Sequence, residues 1–246
     1  MPAIITLLTD YGTGDSYVAE LKAVLLSRAV ATLVDVTHQI PPGDVAAAQY
    51  VLSRVWHRFP PGTVHLVVVD PGVGTGRRAL AAEAGGHGFV APDNGLLSPL
   101  PADARFVELP VPAGIAPTFQ GRDLFAPAAA RLAAGTALTH LGRLVTDPHR
   151  ARLPVPHSDG AAVVGEVIYV DRFGTLVSNI PAGLVEPGVR IKVGDTEVGT
   201  LRRTFGDVAR GQLVAFVGSG ETVEIAVRDG SAARTLGVGV GAAVRA

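Results

Sequence analysis

A change of grammar near residue 150 limits what this chain of 246 residues can fold into. Before it, β-branched runs alternate with segments whose apolar residues recur at helical spacing; after it, short strands follow one another at regular intervals with no evident helix among them. The first part opens with IITLLTD, a buried strand, after which Tyr17, Val18, Leu21, Val24 and Leu25 share one helical face. TLVDVT is a second strand, and Val45, Ala48, Leu52, Val55 and Phe59 line a second helix after the turn PPGD. TVHLVVVD is a third strand, RALAAEA and HGFVAP form a strand pair around Gly85 and Gly86, ARFVELP is a further strand, and residues 123–134 form a helix closed by Gly135. Alternation of this kind builds a mostly parallel sheet covered by helices. Beyond the connector TDPHRARLPVPHSDG, the segments GEVIYVD, GTLVSNI, VRIKVGDTEVGTL, QLVAFVGSG and TVEIAVRDG predict a small antiparallel barrel or sandwich. The expectation is an N-terminal α/β domain over residues 1–152 and a C-terminal β-barrel domain over 160–246.

Ligands of open α/β sheets sit beyond the carboxyl ends of the strands. Here those ends carry Asp10 and Asp70, and the loop APDNG adds Asp93 and Asn94. In VVVDPGVGTGRRAL, Pro71 restricts the backbone after Asp70, and Gly72, Gly74 and Gly76 permit the positive φ angles that fold a loop back over a strand end. The head of Arg77 or Arg78 then approaches the Asp70 carboxylate. That pair serves equally as an ion pair pinning a loop or as the centre of a reactive site. A phosphate loop is disfavoured, because the Gly-Lys-Ser/Thr ending is missing and Asp70 repels phosphate. Asp10 and Asp15 flank a glycine turn before the first helix; one of them caps it, or Asp10 grips paired hydroxyls such as those of a ribose. In TFQGRDLFAPAAA, Asp123 is the expected helix cap and Phe119 a packing residue. Phe173, Phe205 and Ser219 stand at strand ends of the second domain, where barrel core and turn are equally good readings.

Composition excludes several classes of function. A net charge of -1 gives no basic field of the kind nucleic acid requires. Cysteine is absent, so neither disulfides nor thiolate chemistry is expected. The histidines His38, His57, His65, His87, His140, His149 and His157 are scattered without metal-ligand spacing and read as surface or packing residues, so no metal is expected. There is no Gly-x-Ser-x-Gly elbow for a serine hydrolase. No run approaches the ~20 apolar residues of a membrane span, and the short apolar run before Asp10 does not resemble a secretory signal. A soluble cytoplasmic protein with no membrane or nucleic-acid partner is the expectation.

Taken in order, LTDYGTGDSYVAELK, DVTHQIPPGDV, VVVDPGVGTGRR, APDNGLL, TFQGRDLFAPAAA, DRFGTLVSNI and FVGSGETVEIAVRDG resemble the S-adenosylmethionine hydroxide adenosyltransferases, relatives of the fluorinases and chlorinases, over nearly the whole chain. The resemblance implies hydrolysis of S-adenosylmethionine to adenosine and methionine by attack of water at ribose C5′, with no cofactor and no metal. It also implies a homotrimer with active sites at subunit interfaces. The family's Asp, Arg and His map onto Asp70, Arg77 and Gln120, the last being a departure from His. The resemblance assigns ribose binding to Asp10, the adenine sandwich to Phe173 and Phe205, the methionine ammonium to Asp171, and the methionine and adenine pockets to Ser219 and the backbone near Arg228. Asp15, Asn94, Phe119 and Asn179 complete the substrate-binding set, and Thr175 stands where relatives carry Asn. Because Gln120 cannot carry a proton, the alternative is a protein that binds S-adenosylmethionine or adenosine with little or no turnover. A magnesium-dependent phosphohydrolase is a third reading that no motif requires.

Overall fold

Seven strands of the first half of the chain form one mixed sheet. In this computed structural model, which describes residues 2–151, 153–160 and 162–246, the strands are β1 (Ala3–Thr9), β2 (Ala31–Thr37), β3 (Val64–Val68), β4 (Ala79–Ala84), β5 (His87–Pro92), β6 (Arg105–Glu108) and β7 (Arg143–Val145), in the order β2-β1-β3-β5-β4-β6-β7. Helices α1 (Tyr17–Arg28) and α2 (Val45–Val55) make the first two crossovers, and α3 (Ala126–Ala133) precedes β7. The pairs β2-β1, β1-β3 and β3-β5 are parallel, whereas β4, β6 and β7 join antiparallel. The expected α/β class therefore holds, with the parallel strands forming one side of the sheet and a meander the other. Gly85 and Gly86 both take positive φ, which is what the tight turn from β4 to β5 demands. Strand β7 was not foreseen, because its three residues are too few to display an alternating pattern.

Period-two alternation sorts the central strands between two helical layers. Ile5 and Leu7 of β1 and Val64, Leu66 and Val68 of β3 pack with Leu21 and Leu25 of α1 and Ala126, Ala129 and Ala130 of α3. On the other face the Thr6 hydroxyl meets His65 Nδ1 at 2.8 Å, and His65 Nε2 meets His87 Nδ1 at 3.2 Å. His65 is fully buried and stacks on Phe89, and Trp56 lies edge-on to His87. These histidines satisfy core polar groups, as the packing reading of the sequence anticipates.

The chain divides into two compact units, residues 1–151 and 152–246. In the second, β8 (His157–Asp159), β9 (Ala162–Val170), β10 (Leu176–Pro181), β11 (Arg190–Val193), β12 (Thr196–Arg202), β13 (Leu213–Val217), β14 (Thr222–Val227) and β15 (Ala243–Arg245) run in the order β10-β14-β13-β12-β11-β15-β9-β8. Pairing of β9 with β10 closes seven of them into a barrel around Val167, Leu176, Ile180, Ile191, Val223, Ile225 and Val244. The barrel is not wholly antiparallel: β12 and β13 run parallel. Ten residues separate Arg202 from Leu213, enough chain to cross back and start β13 in the same direction, which a tight hairpin cannot do. A helix absent from the sequence reading, α4 (Ala232–Leu236), is a little over one turn long; Ser231 Oγ caps it by accepting from Arg234 N–H at 3.2 Å, and Gly237 ends it at φ 66°.

Candidate active site

Strand β1 leads through α1 to β2 on one side, and β2 leads through α2 to β3 on the other, so the crevice beyond the carboxyl ends of β1 and β3 is the sheet's topological switch point. A cleft of about 440 Å³ opens there, lined among others by Asp10, Tyr11, Tyr17, Asp70, Phe119, Gln120 and Arg122. Asp70 follows the last residues of the β3 run, and the turn after it is stitched by Val73 N–H to Asp70 O at 3.3 Å and by Thr75 Oγ1 to Gly72 O at 2.7 Å. Of the three glycines expected to bend this loop, Gly74 takes a positive φ of 78°, and Gly72 and Gly76 do not.

The loop returns Arg77, not Arg78, to the carboxylate. Arg77 Nε donates to Asp70 Oδ1 at 3.0 Å and Nη2 donates to Asp70 Oδ2, a bidentate fork. The side chains of Asp70 and Arg77 are 5% and 11% exposed, so water screens their attraction weakly. The guanidinium lies 5.2 Å from the centre of the Phe125 ring, and Nη2 also donates to Gln120 Oε1 at 2.6 Å. A guanidinium has donors only, so the amide oxygen of Gln120 must face Arg77 and the NH2 group must turn elsewhere. Gln120 is buried and lines the cleft, leaving its N–H groups as donors there. Arg78 instead braces the loop edge, with Nε on Asp93 at 2.7 Å and Nη1 on Asp147 at 2.8 Å.

Asp10 does not cap α1. Its Oδ2 accepts from Gly43 N–H at 2.8 Å, tying the end of β1 to the loop before α2. Asp15 is exposed, is not among the cleft residues and does not cap α1 either; the cap position is Ser16, whose hydroxyl donates to Glu20 at 2.7 Å. Asp123 is likewise not the cap expected for α3. A π-helical turn, Gly121–Phe125, precedes that helix, and Asp123 accepts from Ala116 N–H at 3.0 Å and from Arg122. Arg122 also donates to Glu20 at 2.8 Å and covers the Phe119 ring at 4.8 Å. The Arg122 hydrogen bond holds the Asp123 carboxyl below the usual carboxylate range, and the bonds from Ser16 and Arg122 do the same for Glu20. Phe119 therefore forms a cleft wall with Tyr11 and Tyr17 rather than core.

Asn94 stands behind the cleft: its Nδ2 donates to Val69 O at 2.9 Å and its Oδ1 accepts from Leu96 N–H at 3.2 Å, pinning the residue just before Asp70. In the second unit, Asp171 Oδ1 accepts from Phe173 N–H at 2.9 Å and Thr175 N–H at 2.8 Å, which leaves Phe173 70% exposed at the tip of the turn. Phe205 is half exposed and leans on Phe216 at 4.6 Å. Arg228 Nη1 donates to Val208 O at 2.7 Å, bracing the segment that carries Phe205. Ser219 sits in the turn between β13 and β14. Asn179 is a seam residue of the barrel, its Oδ1 accepting from Glu166 N–H at 2.8 Å and its Nδ2 donating to Pro154 O at 3.0 Å.

Residues 5–142 match the SAM hydroxide adenosyltransferase N-terminal domain, and residues 165–245 match the C-terminal domain of the same family. The chain belongs to the SAM hydroxide adenosyltransferase family. It is 44% identical to the (R)-S-adenosyl-L-methionine hydrolase of Thermus thermophilus over 98% of both chains. It is 31% identical to a fluorinase of an Actinoplanes species, covering 73% of this chain and 74% of that one. Among solved structures, an uncharacterized conserved protein from Thermotoga maritima superposes with a TM-score of 0.90 at 35% identity, over 98% of both chains. Within this SAM hydroxide adenosyltransferase, the cleft residues that sequence reasoning does not single out include Tyr11, Tyr17 and Arg122. Tyr17 counted as a core-facing helical position but is 48% exposed and lines the cleft. No spacing rule marks Tyr11 as a site residue, and Arg122 reads only as one of the polar residues before an apolar helix; their adjacency to Asp10 and Gln120 is the available signal.

Proposed function

We propose that this chain hydrolyses (R)-S-adenosyl-L-methionine to adenosine and L-methionine by attack of water at ribose C5′. The observation that carries the reading is the buried Asp70 carboxylate, held on both oxygens by Arg77 with Gln120 attached to the same guanidinium, at the switch-point cleft of a SAM hydroxide adenosyltransferase. The water oxygen forms a bond to C5′ as the C5′–S bond breaks, the electron pair goes to sulfur, and methionine leaves as a neutral thioether. Asp70 accepts a hydrogen bond from the water and takes its proton as bonding develops, and Arg77 fixes the carboxylate for that purpose. Holding water in line behind C5′ supplies several kcal/mol, up to roughly 7–11 in ideal cases. A carboxylate at the attack position also opposes a halide nucleophile by like-charge repulsion, an effect that the paired Arg77 guanidinium reduces.

Asp10, with one oxygen engaged by Gly43, is proposed to hold the ribose hydroxyls with the other. The exposed rings of Phe173 and Phe205 support adenine stacking, Asp171 the methionine ammonium, and Ser219 and the backbone at Arg228 the remaining polar contacts. A homotrimer with active sites at subunit interfaces is part of the same proposal and is tested by sedimentation. For the activity, purified protein is incubated with S-adenosylmethionine, and adenosine and methionine are followed by chromatography. Their stoichiometric appearance is expected. Tight binding without product above background favours the second reading, a binding protein, for which Gln120 in place of an imidazole is the specific observation.

A further inference from the structure

Tyr11 follows Asp10 at the end of β1, and its ring is fixed in the cleft wall by edge-to-face contacts with Tyr17 at 6.1 Å and Phe119 at 5.9 Å. Its backbone N–H donates to Thr9 Oγ1 at 3.2 Å, but among the described residues the phenol oxygen has no hydrogen-bond partner. That oxygen lies against Gly121, the residue after Gln120: a Cβ added at Gly121 would sit 2.1 Å from it, closer than any real contact. Glycine at 121 thus lets the phenol reach this point. Burial, together with the carboxylates of Asp10 and Asp70, pushes the phenol well above its ordinary pKa, so it keeps its proton and both donates and accepts hydrogen bonds at neutral pH. A part-buried hydroxyl without a protein partner, on a side chain that lines the cleft, calls for a partner from the ligand or from water.

Counting the hydrogen bonds of the attacking water locates that need. One of its lone pairs must face C5′ and one of its hydrogens goes to Asp70. The remaining lone pair is served by the outward N–H of Gln120, since Arg77 holds the amide oxygen. One hydrogen is left without an acceptor. We propose that the Tyr11 hydroxyl takes this last hydrogen bond and is a positioning residue for the nucleophilic water, with Gly121 as the residue that admits it. This inference rests on the hydrolase reading of the cleft and adds a group to it.

The test is a double-mutant cycle on the intact protein, with kcat and KM measured for S-adenosylmethionine. Tyr11→Phe keeps the ring contacts and removes the hydroxyl alone; kcat is expected to fall about tenfold, the worth of a hydrogen bond near 1.4 kcal/mol, with KM within about threefold of wild type. Gly121→Ala displaces the phenol without removing it and is expected to lower kcat by a comparable factor. In the Tyr11→Phe background the same alanine has lost its collision partner and is expected to cost much less, so the effects are non-additive. A Tyr11→Phe enzyme with wild-type kcat, or strict additivity of the two substitutions, overturns the role of Tyr11 and leaves the hydrolase reading standing. Absence of adenosine from the wild-type reaction overturns the hydrolase reading and this role with it.

Discussion

Gln120 is the residue on which the chemistry of the cleft turns. Its amide oxygen is committed to Arg77, so it presents donors toward the cleft and carries no proton through neutral pH. Two outcomes follow at this scale. Gln120→His restores a group that titrates near 6.5; the rate is expected to rise, by up to about 10²-fold if the imidazole takes over proton transfer, and the pH profile of kcat/KM to gain a limb in that region that the wild type lacks. Asp70→Asn keeps the shape but cannot accept the water's proton and loses its charge toward Arg77. A fall in kcat of about 10²- to 10⁴-fold is expected in the adenosine assay, and wild-type kcat in the Asp70→Asn variant contradicts the mechanism.

At the scale of elements, the cleft depends on residues that never face it. Asn94 in the loop after β5 holds Val69 O, and through it the point at which β3 releases Asp70. Asn94→Ala is expected to lower kcat several-fold by loosening the strand end, and crystal structures of both forms would show Asp70 displaced. Asn179 is the matching case in the barrel. The register between β9 and β10 shifts between Val177 and Ser178, and just beyond that shift the Asn179 side chain takes over the backbone N–H of Glu166. Gly165 leaves the space, because a Cβ there would sit 2.2 Å from Asn179 Oδ1. Asn179→Ala is therefore expected to destabilise the barrel by about 1–3 kcal/mol in denaturant titrations and to leave the KM for S-adenosylmethionine nearly unchanged. A large rise in KM with unaltered stability would instead make Asn179 a substrate ligand.

For the whole molecule, the buried imidazoles set an acid limit. Burial, reinforced by His87, lowers the pKa of His65 to about 3, and burial lowers that of His87 as well. In the unfolded chain both titrate near 6.5, so between pH 6.5 and 3 the unfolded state binds more protons than the folded one, and stability is lost as pH falls through that window. The His65 contribution at pH 5 amounts to about 2 kcal/mol relative to pH 7.5, to order of magnitude. Urea unfolding at the two pH values is expected to show this decline, and a His65→Gln variant, which keeps a partner for Thr6, is expected to flatten it. Among the described residues, the barrel core is assembled from aliphatic side chains and contributes no histidine to this effect.

The two-part grammar of the chain, the central strands and the positions of Asp10 and Asp70 at strand ends were legible in the sequence, because burial on both faces of β1 and β3 imposes largely apolar runs, interrupted by the paired Thr6 and His65, and the chain turns polar where each strand leaves the core. The collinear motifs, in turn, carried the family. Tertiary structure alone decided which arginine meets Asp70, since Arg77 and Arg78 are neighbours whose side chains leave the backbone in different directions, one to Asp70 and Gln120 and the other to Asp93 and Asp147. It also decided that Asp123 braces Arg122 instead of capping α3, that Asn94 and Asn179 peg backbone groups, and that the Tyr11 phenol rests against Gly121. The Asn94, Asn179 and Tyr11 contacts depend on where segments distant along the chain are brought together. Local periodicity reports which face of a strand or helix is buried, and holds no information about which side chain from another element will lie opposite it.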